Sequence, residues 1–320
     1  MDILDAIGNT SIVRLRKVVA RDCAAVFVKL EWENPTGSMK DRMALAVISR
    51  AEEEGRLRPG DTIVEYTGGS TGASLALVAA AKGYSIRIVT SDAFSQGKRD
   101  HMVALGAELI VIPSEGGLST KKLFLQMIDA ARTLSREPNT FWVDQLNNQD
   151  SIGGYFPLGE EIWMQTEGRV NAFVHSAGAA ASSRGVATVL KRHNPSIHVA
   201  VFEPAESPVL SGGAPGAHRI EGIGIGFTPP LWEPSLVDEI ITVSTEESEA
   251  MARRLAREEA LFAGISSGGN VVAAIEVAKR LGTGATVVTL MVDSGLKYLG
   301  SEVYRSRVRN PEEQPNAIRS

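Results

Sequence analysis

The sequence ENPTGSMKDR at residues 33–42 joins a predicted strand to a predicted helix. Pro35 and Gly37 end the strand, and Ser38 is predicted to be the N-cap of the helix. Lys40 then lies in the first helical turn, where the helix dipole favours anions. A lysine there is either a solvated side chain or, beside an anion site, an amine of lowered pKa that attacks a carbonyl.

The composition narrows the class of protein. The chain has 320 residues, 43% of them hydrophobic, and a net charge of −5 without a basic block, so nucleic acid is not an expected partner. The single cysteine, Cys23, rules out an internal disulfide and is predicted to be buried, and five scattered histidines argue against a metal site. No apolar run reaches membrane-spanning length and the start lacks a signal-peptide pattern, so the expected location is cytoplasmic.

Predicted strands alternate with predicted helices along the whole chain, which indicates an α/β fold with parallel sheet. The strands are predicted over 24–30, 61–66, 85–91, 108–113, 141–143, 171–175, 197–202, 239–243 and 285–292. The helices are predicted over 39–51, 73–82, 96–105, 119–135, 159–165, 245–260 and 270–281, with one more ending at 193. Residues 205–235 form a long Gly/Pro-rich loop, and such loops are often functional.

Loops rich in glycine and serine follow three of these strands, at 67–72, 176–183 and 293–295. They lie at the carboxyl edge of the sheet, where α/β folds bind ligands, and helix N-termini there bind anions. The first loop is either a carboxylate site or a tight turn. The second is either a phosphate site or a close helix–strand contact. Neither has the pattern of a Walker loop or a dinucleotide site.

The motifs in combination resemble the pyridoxal-phosphate-dependent cysteine synthase/cystathionine β-synthase family. Residues 34–42 resemble its Schiff-base lysine motif, and residues 55–65 and 98–109 resemble the segments around its substrate loop. Further co-linear matches are 222–224, 264–268 and 293–299. The resemblance extends from about Ile7 to Leu299, and the order of the motifs makes it specific.

The resemblance implies a fold-type-II architecture similar to the tryptophan synthase β subunit. This fold has two three-layer α/β/α domains with the site in the cleft between them. The expected smaller domain is 36–145, which closes over the substrate. The larger, cofactor-binding domain is expected from 13–35 plus 146–305, and 306–320 is a tail.

The resemblance also implies the roles of individual residues. Lys40 is expected to hold pyridoxal 5'-phosphate and to move the Cα proton. The cofactor phosphate is expected at Gly178, Ala179, Ala180, Ala181 and Ser182. The substrate carboxylate is expected at Thr67, Gly68, Gly69, Ser70 and Thr71, assisted by Gln145. Gly222 is expected near the bound amino acid, Ser70 near the cofactor, and Ser294 at the pyridine nitrogen.

Ser294 bears on the reaction type. A neutral hydroxyl does not hold the pyridine nitrogen protonated as a carboxylate does, so the ring is a weaker electron sink. This disfavours transamination and favours β-elimination from a serine with a good leaving group. The resemblance therefore implies β-replacement through an aminoacrylate intermediate, in which O-acetylserine plus sulfide gives L-cysteine.

Three positions depart from the family pattern. The substrate loop usually reads Thr-Ser-Gly-Asn-Thr-Gly, but Gly68 and Ser70 stand in place of its serine and asparagine. Ala179 replaces a threonine of the phosphate loop and loses a hydroxyl donor worth about 1 kcal/mol. Backbone N–H groups are expected to preserve cofactor binding, so these changes bear on the identity of the substrate.

Several alternatives stay open. The first alternative keeps the family but changes a reactant: the substrate is another serine derivative such as O-phosphoserine, or the nucleophile is homocysteine or an amine. A serine/threonine dehydratase-type lyase is a second alternative, although Asp41-Arg42 after the lysine fits the synthase motif better. A non-catalytic ligand-binding homologue is the third. The resemblance implies a homodimer, and the residues themselves give no support for a serine acyltransferase partner.

Overall fold

The computed structural model describes residues 2–117 and 120–304. Its larger sheet has six strands in the order β1-β2-β10-β7-β8-β9. The short strand β1 pairs antiparallel with β2, and the other neighbours are parallel. The bounds are Ile12–Arg14 for β1, Ala25–Leu30 for β2, Ala172–Ser176 for β7, His198–Pro204 for β8, Glu239–Val243 for β9 and Thr286–Met291 for β10.

The smaller sheet has four parallel strands in the order β5-β4-β3-β6. Their bounds are Thr62–Tyr66 for β3, Ser85–Ser91 for β4, Glu108–Ile112 for β5 and Thr140–Trp142 for β6. Parallel strands need crossover connections, and helices supply them here. The α/β class expected from the alternating pattern is confirmed.

Nine α-helices are formed by the described residues. They are α1 (Lys40–Glu53), α2 (Ser70–Lys82), α3 (Gln96–Ala104), α4 (Lys121–Leu134), α5 (Asp150–Gly153), α6 (Phe156–Gln165), α7 (Ala181–His193), α8 (Thr245–Arg254) and α9 (Ile265–Leu281). A π-helical turn, Leu255–Glu259, continues α8. None of the helices in the described ranges is long and apolar enough to cross a membrane.

Apolar side chains from both faces of each sheet pack under helices. One cluster joins α1, α2, α6 and α7 to one face of each sheet. A second packs α8 and α9 on the other face of the larger sheet, and a third packs α4 on the other face of the smaller sheet. Both sheets are therefore covered on two sides, as parallel sheets require. Cys23 is buried in the second cluster, as predicted.

Several predicted boundaries were wrong at helix starts. Helix α1 begins at Lys40, one residue later than predicted, which puts Met39 rather than Ser38 at the N-cap position; Met39 makes no side-chain cap hydrogen bond. The Ser38 hydroxyl still accepts a weak hydrogen bond, at 3.3 Å, from the Lys40 N–H. Helix α9 begins at Ile265, although its first residues read as a loop. Position 268 in this helix needs glycine, because a Cβ there would lie 2.1 Å from the Ser248 carbonyl oxygen of α8.

The predicted tail, 306–320, lies outside the described residues. The predicted loop 205–235 is irregular up to the short 3-10 helix Pro234–Leu236, as expected. Strand β1 and helix α5 were not predicted, because three and four residues are too few to show a hydrophobic period.

Candidate active site

A cavity lies between the two sheets, and the segments that line it follow strands of both. Almost every residue expected from the sequence lines this one cavity. They are Lys40, Thr67, Gly68, Gly69, Ser70, Thr71, Gln145, Gly178, Ala179, Ala180, Ala181, Ser182 and Gly222. Ser294 is the exception, because it is not among the side chains that line the cavity.

Lys40 is the first residue of α1, and its side chain lines the cavity. Burial lowers the pKa of Lys40 to about 8. The nearby charge of Asp293 opposes this change, and the charges of Lys297 and Lys98 add to it. A tenth of the amine is therefore neutral at about pH 7, far more than for an exposed lysine. The neutral amine is the form that attacks carbonyl groups.

The substrate loop lies at the N-terminus of α2. The backbone N–H groups of Gly68, Ser70 and Thr71 donate to no atom of the described chain, so they are free to bind an anion. The Thr71 hydroxyl donates to Oε1 of Gln145 at 2.9 Å, and Nε2 of Gln145 donates to the Tyr66 carbonyl at 2.8 Å. These bonds fix the Gln145 amide beside the loop.

The packing around this loop accounts for one departure from the family pattern. A Cβ at Gly68 would lie 2.8 Å from the ring of Phe94, so the ring occupies the space that a serine side chain needs. Gly69 has a φ of +153°, and a Cβ there would lie 2.4 Å from the stem of Lys98. Only glycine fits at these two positions while Phe94 and Lys98 stay where they are.

The second loop lies at the N-terminus of α7. The backbone N–H groups of Ala179, Ala180, Ala181 and Ser182 are likewise unused by the described residues. Ala180 adopts the left-handed conformation with φ 66°, which is strained for alanine and is common at functional sites. A Cβ at Gly178 would lie 2.2 Å from the Gly222 carbonyl oxygen. This second loop and the long loop 205–235 are therefore in backbone contact.

A buried chain of polar groups orients the Ser182 hydroxyl. Nδ1 of His175 faces Nδ2 of Asn270 at 3.3 Å, and Nε2 of His175 lies 2.9 Å from the Ser182 hydroxyl. Burial lowers the pKa of His175 to about 3, with the charge of Lys40 adding to the effect, so the ring is neutral. Because the Asn270 amide donates to Nδ1, Nε2 carries the proton and donates to Ser182. The Ser182 O–H is then free to donate into the cavity.

Ser294 lies beside the cavity rather than on its wall. Its hydroxyl accepts from the Leu296 N–H at 3.2 Å, and its backbone N–H donates to the Gly37 carbonyl. The preceding residue, Asp293, does line the cavity. The Oδ2 atom of Asp293 accepts from the Tyr298 and Ser70 hydroxyls at 3.0 and 3.3 Å, whereas its buried Oδ1 has no partner among the described residues.

Lys98, Glu221 and Tyr298 were not singled out in the sequence, yet they line the cavity together. Lys98 forms a salt bridge with Glu221, and its ammonium lies 4.4 Å from the centre of the Tyr298 ring. Lys98 belongs to the first half of α3 after β4, so the signal that identified Lys40, a lysine near a helix N-terminus after a strand, also marks Lys98. No group of residues in the described ranges is suited to hold a metal ion.

Comparison with known proteins adds independent information. The family described as pyridoxal-phosphate dependent enzyme matches residues 3–293. Cysteine synthase of Staphylococcus aureus strain Mu50 is 42% identical over 305 residues, covering 95% of this chain and 96% of that protein. The crystal structure of Entamoeba histolytica cysteine synthase is 34% identical, with a TM-score of 0.88 over 95% of this chain and 90% of its own. The O-acetylserine dependent cystathionine beta-synthase of Helicobacter pylori is also 34% identical, with a TM-score of 0.88 over 95% and 98%.

Proposed function

Because this chain belongs to the pyridoxal-phosphate dependent enzymes of the cysteine synthase class, we propose that it catalyses β-replacement on an activated L-serine. The simplest reaction converts O-acetylserine and sulfide into L-cysteine and acetate. The observation that carries the proposal is the position of Lys40. Its amine of lowered pKa faces the same cavity as the free N–H groups at the starts of α2 and α7.

The cofactor of the family is pyridoxal 5'-phosphate, and the donor set of the cavity fits it. Lys40 supplies an amine for its aldehyde, and the unused N–H groups of residues 179–182, with the Ser182 hydroxyl, suit its phosphate. Close contact with the Gly222 carbonyl oxygen leaves no room for a side chain at position 178. Once bound, the cofactor withdraws electrons from the Cα of an amino acid, so that a proton and a β-substituent can leave.

The residues that line the cavity have separate roles in the proposed reaction. The N–H groups of Gly68, Ser70 and Thr71, with the Gln145 amide, hold the substrate carboxylate. Lys40 takes the Cα proton, for which an amine of pKa about 8 is well matched near neutral pH. Ser294 stays our prediction for the partner of the pyridine nitrogen, and its neutral hydroxyl favours elimination of a leaving group over transamination.

The proposed reaction is tested by product analysis with the cofactor-loaded protein. We expect L-cysteine and acetate in equal amounts from O-acetylserine and sulfide, at a rate that depends on both. Release of pyruvate at the same rate without sulfide would identify a lyase instead. A protein that retains the cofactor but consumes no O-acetylserine would direct the search to other serine derivatives, and one that retains no cofactor would be a non-catalytic homologue.

The polar chain behind Ser182 predicts a loss of cofactor affinity in His175→Leu. The variant removes the donor to Ser182, so the hydroxyl no longer points its proton into the cavity, and we expect the dissociation constant for pyridoxal phosphate to rise about 3- to 10-fold. Ser182→Ala should have a similar effect, and the double variant should be no worse than either single one. Equilibrium dialysis measures this, with His198→Leu, which breaks a surface pair with Glu239, as the control. Additive losses would contradict a coupled chain.

The proposal includes the domain division and the assembly. Residues 36–145 form the smaller domain, which closes over the substrate, and residues 13–35 plus 146–305 form the larger domain. The small sheet lies wholly within the first range, which supports the division. Unchanged scattering profiles with and without a substrate analogue would contradict closure of the smaller domain over the substrate. The proposal also includes a homodimer and a reducing, cytoplasmic compartment.

A further inference from the structure

The stem of the Lys98 side chain packs on the substrate loop. Lys98 belongs to α3, within the proposed smaller domain, and its side chain is only 6% exposed. A Cβ at Gly69 would lie 2.4 Å from Cδ of Lys98, so the lysine stem passes directly over the backbone of this glycine. The absence of a side chain at position 69 is what lets the two segments come so close.

The Lys98 amine is held by groups from the opposite side of the cavity. It forms a salt bridge with the Glu221 carboxylate, and it lies 3.3 Å from the Tyr298 hydroxyl and 4.4 Å from the centre of the Tyr298 ring. Both partners belong to the proposed larger domain. Contacts of an ammonium with a carboxylate and with an aromatic face are stronger where water is excluded. Lys98 therefore spans the cavity, with its stem on one domain and its amine on the other.

Glu221 connects this lysine to the loop at the start of α7. It immediately precedes Gly222, and both residues line the cavity. The Gly222 carbonyl oxygen packs so closely on Gly178 that a Cβ there would lie 2.2 Å from it. The salt bridge of Lys98 thus ends one residue away from the loop that is proposed to hold the cofactor phosphate.

Tyr298 connects the same lysine back to the substrate loop. Burial raises the pKa of Tyr298, so its hydroxyl keeps its proton and donates to Oδ2 of Asp293 at 3.0 Å. The same carboxylate oxygen accepts from the Ser70 hydroxyl at 3.3 Å. The substrate loop is therefore attached to the larger domain at two points, through Lys98 and through Ser70.

We propose that Lys98 is a positioning residue, which fixes the substrate loop relative to the cofactor site through its salt bridge with Glu221. This inference rests on the proposed function and concerns the binding of the amino acid. Lys98 acts through the backbone N–H groups of residues 68, 70 and 71, which reach the substrate carboxylate only when the loop is held at the right distance. Loss of the salt bridge weakens binding of the amino acid and leaves binding of the cofactor intact.

The test is the Lys98→Met variant of the cofactor-loaded protein. Methionine keeps an unbranched stem over Gly69 but removes the charge. We expect KM for O-acetylserine to rise about 10-fold, since a charged hydrogen bond that holds the loop is lost. The kcat value should change by less than about 2-fold, because the loop holds substrate and transition state alike. Calorimetric titration with L-alanine, which has a carboxylate but no leaving group, should show the same loss of affinity.

A second substitution tests the partner of Lys98. Glu221→Met should also raise KM for O-acetylserine, and the double variant Lys98→Met/Glu221→Met should be no worse than either single variant, because each already breaks the salt bridge. Lys191→Met is the matched control, since its amine pairs with Asp238 at 2.8 Å outside the cavity, and it should keep the KM of the parent protein. The dissociation constant for the cofactor, measured by equilibrium dialysis, should be the same in all of these proteins.

Other outcomes overturn the inference or separate it from the proposed function. If Lys98→Met loses cofactor affinity together with amino-acid affinity, its role is structural and the inference is wrong. An unchanged KM for O-acetylserine, or additive losses in the double variant, would also contradict it. If the parent protein forms no L-cysteine, the proposed function fails, and the L-alanine titration still decides the role of Lys98. A parent protein to which L-alanine does not bind would overturn both.

Discussion

Lys40→Ala is expected to lower kcat/KM for β-replacement by about 10³-fold or more. The variant removes both the amine that holds the cofactor and the base that takes the Cα proton, and positioned proton transfer alone contributes about 10²- to 10⁴-fold. Borohydride reduction of the cofactor-loaded protein, followed by peptide mapping, should find the cofactor on the Lys40 peptide of the parent protein and on no peptide of the variant.

Lys82→Ala is the control for this substitution. Its amine pairs with Glu52 at 2.6 Å, away from the cavity, so activity and labelling should match the parent protein.

The pKa of Lys40 also predicts that the rate of cofactor uptake depends on pH. Cofactor uptake by the cofactor-free protein should accelerate as pH rises through about 8, because the amine loses its proton there. Covalent labelling of Lys40→Ala at another lysine would contradict the assignment.

The second large effect concerns stability. Arg42 lies in α1 two residues after Lys40, and its side chain is 3% exposed. It donates two hydrogen bonds to the Glu31 carboxylate, at 2.7 and 2.8 Å, and two to the Glu161 carboxylate at the same distances. Lys29 also pairs with Glu161, at 2.6 Å. The network ties α1 to α6 and to the end of β2.

We expect Arg42→Leu to lower the free energy of unfolding by about 3–5 kcal/mol, because it leaves the Glu31 and Glu161 carboxylates buried with one cation between them. Arg50→Leu breaks exposed pairs with Glu53 and Glu54 on the same helix and should cost no more than about 1 kcal/mol. Denaturant unfolding measures both. Equal losses in the two variants would mean that the buried network contributes little.

The same network predicts that the stability of the fold depends on pH. Burial opposes ionisation of Glu161, but the hydrogen bonds and charges of Arg42 and Lys29 outweigh it and lower the pKa to about 2. A carboxyl group with a lowered pKa stabilises the fold above its unfolded pKa, and this contribution is lost as pH falls from about 4.5 towards 2. Stability of the parent protein should therefore fall more steeply in that range than stability of Arg42→Leu.

Much of the fold could be read from the sequence. Strands such as Ser85–Ser91 and Glu239–Val243 were predicted to the residue, because Gly and polar residues punctuate β-branched runs there. Helix starts at Ser70, Ala181 and Ile265 were not, because glycine and alanine at these positions read as loop. Their smallness serves close packing and the anion sites rather than chain reversal.

The sequence predicted only part of the candidate site. Residues that carry a recognisable motif, such as Lys40 and Ser182, line the cavity. Phe94, Phe124 and Tyr66 lie far apart along the chain and look like ordinary core residues. Only the packing of α4 and of the loop after β4 against β3 reveals that they share a wall. The space taken by the Phe94 ring explains the glycine at position 68, which the sequence could show only as a departure.

The most direct test of the central claim is the visible absorption spectrum of the cofactor-loaded protein during two additions. The account predicts that O-acetylserine shifts the band of the bound cofactor and that sulfide then restores it, with one L-cysteine formed for each restored site. Lys40→Ala should show no such cycle. A band that ignores O-acetylserine, or that shifts and does not return with sulfide, would contradict β-replacement at this site.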